Sequence, residues 1–300
     1  MIFPPFEPDR NEPRRRRFRP IPFRTLVPNL ITLLALCAGL TSIRLAVEGK
    51  LELALAAIVF AAVLDGIDGR VARLIKGTSR FGAELDSLAD FVNFGVAPGL
   101  VLYFWGLHDL KSLGWIAALV FAICAGLRLA RFNVTVDDPN RPAWAANYFT
   151  GMPAPGGAIA VLLPIYLHFL GVPQTGAGVA LTFVYTLAIA LLMVSRLPVF
   201  SGKKAGARVP RELVLPVFVV VVLFFALLVS YPWEVLTVGT LLYLASLPIG
   251  ALSYRRLARE ASQAVAPAAP SRPEETVEAE TTSPVPSAPA EAEERPARLN

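Results

Sequence analysis

Long apolar runs recur along most of this chain, and short polar or glycine-containing segments separate them. The runs lie at about 26–47, 51–75, 81–105, 113–134, 153–170, 178–199, 213–230 and 233–252. A helix needs about 20 apolar residues to cross the roughly 30 Å hydrocarbon core of a bilayer. The pattern therefore predicts an all-α fold, a polytopic membrane helical bundle with about eight transmembrane helices.

The composition of the whole chain agrees with a membrane protein. Of its 300 residues, 55% are hydrophobic, and the mean hydropathy is +0.55. The first 25 residues are rich in proline and arginine and lack an apolar core, so no cleavable signal peptide is expected. Cys37 and Cys124 lie in separate predicted spans, and we interpret them as small apolar side chains and not as a disulfide.

The basic residues are distributed unevenly between alternate loops. With the amino terminus assigned to the cytoplasm, the cytoplasmic segments carry 22 of the 28 lysines and arginines, and the external segments carry three. Because basic residues accumulate on the cytoplasmic side of membrane proteins, eight spans with this bias predict that both termini are cytoplasmic. The same bias accounts for the net charge of +5 without a nucleic-acid partner.

The chain divides by composition into four predicted regions. These are a disordered basic cytoplasmic arm at 1–24, a membrane domain at 25–204, two additional transmembrane helices at 205–260 and a disordered Ala/Pro/Glu tail at 261–300. The arm contains the sequence "PRRRRFRP", a basic cluster that suits contact with anionic lipid. The tail has no apolar periodicity, so it cannot bury a core of its own.

Four aspartates interrupt the apolar pattern where the second predicted span ends and the third begins. Asp65 and Asp68 are three residues apart, and Asp86 and Asp90 are four apart, so each pair shares one face of a helix. Two helices joined by the short connection "GTSRF" should lie antiparallel, which lets the two carboxylate pairs converge. Small residues on the same faces leave room for close backbone approach or for a ligand.

Converging carboxylates repel one another, and their burial near a membrane is costly unless a cation compensates their charge. Hard divalent cations such as magnesium prefer carboxylate and phosphate oxygens, and two of them can hold one phosphoryl group. No His or Cys accompanies the aspartates at ligand spacing, which argues against zinc or iron. The cluster therefore indicates a site for divalent cations and a phosphate-bearing substrate, with Arg73 placed to bind phosphate.

Two other interpretations of the four aspartates stay open from residue chemistry alone. The aspartates could form interfacial salt bridges with the neighbouring basic residues Arg70, Arg73, Lys76 and Arg80. They could also line the path of a membrane cation transporter, since intramembrane carboxylates often mark such paths. Their position at one membrane interface, away from the midplane, weakens the transporter interpretation.

Eight residues at fixed gaps give the charged stretch a specific pattern. They read Asp65-x2-Asp68-Gly69-x2-Ala72-Arg73-x8-Gly82-x3-Asp86-x3-Asp90. This pattern resembles the signature of the CDP-alcohol phosphatidyltransferases, which transfer a phosphatidyl or similar group from a CDP-linked donor to an alcohol and release CMP. The resemblance implies two divalent cations, Mg²⁺ or Mn²⁺, bridged by Asp65 and Asp86. Asp68 would bind the first ion, and Asp90 would bind the second and act as the general base.

The same resemblance assigns residues to the two substrates. The predicted contacts to the donor, CDP-diacylglycerol, are Asn29, Thr32, Gly69, Ala72, Arg73, Ser79 and Gly82. Segments at 126–134, 147–158 and 193–204 resemble the serine-accepting members of bacteria and archaea, which implies L-serine as the acceptor. The candidate serine contacts are Arg128, Arg131 and Asn133. The last two are two residues apart, so they would have to flank a helix end to face one substrate.

The signature does not specify the acceptor alcohol, so glycerol 3-phosphate, inositol phosphate and choline stay open as alternatives to serine. The resemblance also implies a homodimer surrounded by membrane lipid. It implies a location in the bacterial (inner) cell membrane. The distribution of basic residues predicts that the active site lies at the cytoplasmic face, where a lipid donor and a soluble alcohol can meet.

Overall fold

The computed structural model describes residues 23–136, 148–200 and 211–265 of the chain. These residues form ten α-helices: α1 Phe23–Val47, α2 Leu51–Leu74, α3 Arg80–Asp90, α4 Ala97–Trp105, α5 Ser112–Val136, α6 Ala154–Val161, α7 Leu163–Phe169, α8 Gly176–Val194, α9 Arg211–Ser230 and α10 Pro232–Val265. Two short strands, β1 Tyr148–Thr150 and β2 Pro198–Phe200, pair antiparallel. Nearly all of the predicted basic arm and acidic tail lies outside the described residues.

Among the described residues, six helical segments are long and apolar enough to cross a membrane. They are Leu26–Val47, Arg80–Trp105, Ser112–Thr135, Gly176–Val194, Leu213–Ser230 and Pro232–Tyr254. Each of them overlaps a span predicted from the apolar pattern. The span predicted at 178–199 ends earlier than expected, because the helix stops at Val194 and Pro198–Phe200 is a strand. The prediction of a predominantly helical fold with several helices suited to span a membrane is therefore confirmed, although the two short strands were not predicted.

Two of the eight predicted spans do not meet that description. Helix α2 has 24 residues but carries two aspartates and two arginines in its second half. Helices α6 and α7 together form a shorter apolar segment, Ala154–Phe169, which is interrupted at Leu162. The interruption occurs because Pro164, in the first turn of α7, has no N–H with which to continue α6. The structure supports about six spans, and the count of eight stays a prediction.

The third predicted span is one continuous segment with two helical geometries. Helix α3 passes into a π-helical turn at Phe91–Val96, and α4 follows directly. Pro98 cannot donate a hydrogen bond to the Phe94 carbonyl four residues before it, and the wider turn accommodates that missing bond. The π-turn begins immediately after Asp90, so this carboxylate lies at the junction between the two geometries.

The bundle is organised around α1 and α5. Helix α1 packs along α2, to which a three-residue connection makes it antiparallel, and it also contacts α3 and α4. Helix α5 packs against α4, the π-turn and α8. Large apolar side chains fill the space between these helices, including Leu55, Ile58, Phe94, Phe121 and Tyr166. This packing fixes the ends of α2, α3 and α5 beside one another.

Helix α9 differs from the other spanning helices in its exposure. Its side chains from Leu213 to Leu227 are all exposed, and the sequence there is apolar on every side. A helix that is apolar all round suits a hydrocarbon environment. The exposed surface of α9 is therefore consistent with contact to lipid.

Helix α10 is longer than the apolar pattern predicts. The predicted span ends at about 252, but the helix continues to Val265 and so includes the first five residues of the tail predicted at 261–300. The extension is rich in Arg, Glu, Ala and Gln, which favour helix, and it ends shortly before Pro267. The chain divides into two units, 1–258 and 259–300, and the end of α10 belongs to the second.

The packing around α5 leads to a stability prediction. Phe121 is fully buried, whereas Phe218 on α9 is 67% exposed. Phe121→Ala should lower the free energy of unfolding by about 3–5 kcal/mol, because it leaves a cavity in the core. Phe218→Ala is the matched control and should change it by less than about 1 kcal/mol. Thermal unfolding of the detergent-purified variants measures both, and equal losses would contradict the packing described.

Candidate active site

Three of the four signature aspartates converge between the second half of α2 and the facing side of α3. Carboxylate oxygens of Asp65, Asp68 and Asp86 all lie within 4.8 Å of one another. Asp68 is buried, with 4% of its surface exposed, and the other two are half-buried. The fourth carboxylate, Asp90, lies one turn further along α3, within hydrogen-bonding reach of Asp65. The structure therefore brings all four side chains to one place.

The connection between α2 and α3 sets this geometry. After α2 ends, the Lys76 N–H bonds the Arg73 carbonyl and the Gly77 N–H bonds the Ala72 carbonyl, with Lys76 in the left-handed conformation at φ 52°. These two bonds are the Schellman arrangement that satisfies the last carbonyls of a helix. The Ser79 hydroxyl then accepts a hydrogen bond from the Gly82 N–H at 3.0 Å and caps α3. Because α2 ends and α3 begins with these capping hydrogen bonds, the chain turns back within the five residues between the two helices.

The basic residues near the cluster do not neutralise it. Within the described ranges, no Lys, Arg or His nitrogen lies within 4.0 Å of these four carboxylates. The predicted alternative of interfacial salt bridges is therefore not observed for Arg70, Arg73, Lys76 and Arg80. Like charges this close repel strongly in a medium of low dielectric constant.

The donor set fits hard divalent cations. It consists of carboxylate oxygens alone, which Mg²⁺ and Mn²⁺ prefer and which zinc and iron sites rarely use without His or Cys. A neutral side chain orients one of these carboxylates: the Thr32 hydroxyl on α1 donates a hydrogen bond to Asp68 Oδ2 at 2.7 Å. A hydrogen bond of this kind to a ligating carboxylate fixes the direction in which the carboxylate points.

A cavity of about 230 Å³ opens between α1, α2 and α3, and we call it the α1–α3 cavity. Its lining includes all seven residues that sequence analysis assigned to the donor, namely Asn29, Thr32, Gly69, Ala72, Arg73, Ser79 and Gly82. Asp68 and Asp86 line the same cavity, which joins it to the carboxylate cluster. Pro28, Gly77, Thr78 and Ala83 complete the wall. The last four were not predicted, although Gly77 and Thr78 lie in the "GTSRF" connection.

Close backbone approach shapes this cavity. A Cβ atom at Gly82 would lie 2.7 Å from Asn29 Oδ1 and 3.1 Å from Ser79 Oγ, which is too close for either contact. Glycine at position 82 therefore lets the Asn29 amide reach the start of α3. On the opposite wall, Arg73 extends back along α2, with Nη1 3.8 Å from the position of a Cβ at Gly69.

A second cavity, of about 540 Å³, lies on the other side of α3, and we call it the α3–α5 cavity. Asp86 and Ala83 line both cavities, so α3 separates them. Ser87, Phe132 and Asn133 form the wall towards α5, and the Asn133 amide donates to Ser87 Oγ at 3.0 Å. The carboxylate cluster is therefore accessible from two sides.

The three candidate acceptor contacts do not form a single group. Helix α5 stays regular to Val136, so no helix end separates Arg131 from Asn133, and the expectation that they flank one is wrong. Arg131 Nη1 donates to the Val194 carbonyl at 2.6 Å, on α8. Arg128 is buried, lies within electrostatic range of Asp90 and stacks on the Phe132 ring at 5.3 Å. Arg128 thus approaches the carboxylates, whereas Arg131 contacts the backbone of α8.

Comparison with known protein families agrees with this geometry. The family model for CDP-alcohol phosphatidyltransferase matches residues 25–196, and the model for CDP-alcohol phosphatidyltransferase 2 matches residues 212–248. The first match covers more than half of the chain, and this chain belongs to the CDP-alcohol phosphatidyltransferase family. The second match falls on α9 and α10.

Three relatives of this chain carry the same name, CDP-diacylglycerol–serine O-phosphatidyltransferase. The chain is 41% identical to a CDP-diacylglycerol–serine O-phosphatidyltransferase of Mycobacterium leprae, over 78% of this chain and 77% of the relative. It is 35% identical to the protein of that name from Helicobacter pylori, over 73% of this chain and 88% of the relative. A further protein of that name, from Methanocaldococcus jannaschii, is 34% identical over 56% of this chain and 71% of the relative.

The close approach at Gly82 leads to a prediction. Gly82→Ala should lower the free energy of unfolding by about 1–3 kcal/mol, because the added Cβ overpacks against Asn29. The matched control is Gly66→Ala on α2, where the added Cβ meets nothing of the described structure within 4 Å apart from its own turn of helix. There alanine should raise it by up to about 1 kcal/mol through helix propensity. Thermal unfolding in detergent distinguishes the two, and the same sign for both would contradict the proposed contact.

Proposed function

We propose that this protein transfers the phosphatidyl group of CDP-diacylglycerol to the hydroxyl of L-serine and releases CMP. The observation that carries the proposal is the clustering of the signature aspartates beside a cavity lined by every predicted donor contact. The names of the relatives support serine as the acceptor and CDP-diacylglycerol as the donor.

Asp65, Asp68, Asp86 and Asp90 would hold two divalent cations, Mg²⁺ or Mn²⁺. When bound, these ions would neutralise the pyrophosphate of the donor and stabilise the departing CMP. The protein's own contribution is to hold four carboxylates together against their repulsion. Thr32 supports this arrangement through its hydrogen bond to Asp68.

The α1–α3 cavity is the proposed site for the CDP part of the donor. Asn29, Thr32 and Ser79 supply polar groups to it, and Arg73 supplies a guanidinium group for phosphate. The remaining predicted contacts, Gly69, Ala72 and Gly82, have side chains small enough to leave the cavity open. The exposed apolar surfaces of α1 and α2 would let the acyl chains of the donor stay in the lipid.

Asp90 is the proposed general base. Its carboxylate would accept the proton of the serine hydroxyl while the hydroxyl oxygen forms a bond to the phosphatidyl phosphorus. The bond between that phosphorus and the bridging oxygen of CMP breaks, and CMP leaves with that oxygen. The position of Asp90 supports the assignment, since it lies within hydrogen-bonding reach of Asp65 and within electrostatic range of Arg128, beside the cluster.

The α3–α5 cavity is the proposed entry for serine. It reaches Asp86 from the side opposite the donor cavity, so the acceptor would approach the phosphorus without crossing the nucleotide. Asn133 lines this cavity, and Arg128 lies one helical turn deeper on α5 behind Phe132. We assign Arg131 to the structure of the bundle because its guanidinium binds the Val194 carbonyl.

We further propose eight transmembrane helices with both termini in the cytoplasm of a bacterial cell. Helix α2 supports this count, because 24 residues at about 1.5 Å rise extend about 36 Å alongside α1. The distribution of basic residues supports the orientation, in which the aspartate cluster would lie at the cytoplasmic face of the inner membrane. The homodimer stays a prediction from the family resemblance, and lipid or a second copy would cover the exposed apolar side chains.

CMP release by the detergent-purified protein tests the proposal. The protein is supplied with CDP-diacylglycerol, Mg²⁺ or Mn²⁺, and one acceptor at a time: L-serine, glycerol 3-phosphate, inositol phosphate or choline. Metal-dependent release with serine alone is the expected result. Release with another acceptor would overturn the serine assignment, and no release with any acceptor would overturn the transferase function and leave the cation transporter to be tested.

Replacement of the proposed base gives a kinetic prediction. Asp90→Asn keeps the size of the side chain but cannot accept a proton, so kcat should fall by about 10²- to 10⁴-fold. Asp109→Asn, in the exposed turn between α4 and α5, is the matched control and should leave kcat unchanged. Binding of CDP-diacylglycerol, measured separately, should persist in both variants. A kcat within tenfold of the wild-type value for Asp90→Asn would exclude this residue as the base.

A further inference from the structure

Two buried hydrogen-bond donors near the proposed active site have no acceptor. In the part of the chain that the structure describes, Arg128 Nε and the Tyr243 hydroxyl are both buried without a hydrogen-bond partner. Arg128 as a whole is only 7% exposed. The two groups lie within electrostatic range of each other, and Arg128 also lies within range of Asp90. The pair therefore sits beside the carboxylate cluster.

Tyr243 comes from α10, far from the signature in sequence. Its hydroxyl is held against α6, where a Cβ at Gly156 would lie 3.1 Å from Tyr243 Oη and 3.3 Å from Pro153 Cγ. Gly156 belongs to the "TGMPAPGG" segment that resembles the serine-accepting members of the family. A glycine at this position leaves the space that the tyrosine hydroxyl occupies, so the position of the hydroxyl is set by α6 and α10 together.

Two buried, unpartnered donors are costly unless a ligand satisfies them. An unmade hydrogen bond from a buried donor costs about 1–3 kcal/mol, and more for a charged group. Arg128 is charged, and the Tyr243 hydroxyl lies within its electrostatic range, so one ligand would take hydrogen bonds from both donors. A group with a negative charge and two acceptor oxygens satisfies both donors at once. A carboxylate has this chemistry, and so does a phosphate.

We propose that Tyr243 and Arg128 together bind the carboxylate of the acceptor amino acid, so that the last helix contributes a specificity residue to the active site. This inference rests on the proposed function. Arg128 stacks on the ring of Phe132, and Phe132 in turn lines the α3–α5 cavity. An amino acid whose carboxylate binds there would direct its hydroxyl towards Asp90. Choline has no carboxylate and would leave both donors unpaired.

Tyr243→Phe tests this inference because it removes only the hydroxyl. The KM for L-serine should rise roughly ten- to hundredfold, as expected for one lost hydrogen bond to a charged group. The KM for CDP-diacylglycerol should stay within twofold, and kcat should change less than the serine KM. L-Alanine keeps the carboxylate and ammonium groups but has no hydroxyl to react. Its inhibition constant against serine should rise by the same factor as the KM.

Two further variants separate specificity from folding. Tyr166→Phe is the matched control, because the Tyr166 hydroxyl is also buried without a partner among the described residues but lies beside Trp233, away from Arg128. It should leave the serine KM unchanged. Gly156→Ala displaces the Tyr243 hydroxyl without removing it, since the added Cβ is too close to Oη. It should raise the serine KM several-fold.

The outcomes distinguish this inference from the proposed function. If the wild-type protein releases CMP with serine and Tyr243→Phe keeps the wild-type serine KM, the inference is wrong and the function stands. If the KM for CDP-diacylglycerol rises and the serine KM does not, the pair binds a phosphate of the donor, which also overturns the inference. If the wild-type protein does not use serine, the proposed function fails first, and the carboxylate subsite fails with it.

Discussion

Repulsion between carboxylates is the constraint on which this structure depends. Oxygens of Asp65, Asp68 and Asp86 lie within 4.8 Å of one another, and Asp90 adjoins them. Within the described residues, no basic side chain pairs with any of the four. Holding such a cluster within an apolar helical bundle requires a rigid support and a compensating cation. The architecture around α2 and α3 supplies the support, and the all-oxygen donor set fits the cation.

The support comes from the packing of α1, α2, α3 and α5 around the cluster. Helix α1 contacts both α2 and α3, and Thr32 reaches from it to Asp68. A Schellman arrangement stops α2, and a Ser79 cap starts α3. Ser79 therefore has a structural role in addition to the proposed contact with the nucleotide. Helix α5 approaches the cluster from the other side and brings Arg128 within electrostatic range of Asp90.

The sequence predicted the parts that depend on local spacing. Apolar runs predicted the spanning helices, and helical periodicity predicted that the two aspartate pairs would meet. It did not predict the break at Leu162, because Pro164 acts within an otherwise apolar run. Nor did it separate Arg128 from Arg131, since which one faces the cluster depends on how α5 packs against α8. Tyr243 was missed because its proposed role depends on contact between helices that are distant in sequence.

Binding of Mn²⁺ to the purified protein, followed by electron paramagnetic resonance, tests the central claim most directly. The account predicts saturable binding of about two ions per chain in the wild-type protein, because four carboxylates without basic partners need divalent cations to offset their charge. Asp86→Asn should weaken that binding strongly, since Asp86 would bridge both ions. Absence of saturable Mn²⁺ binding, together with CMP release that persists in the presence of a chelator, would contradict the account.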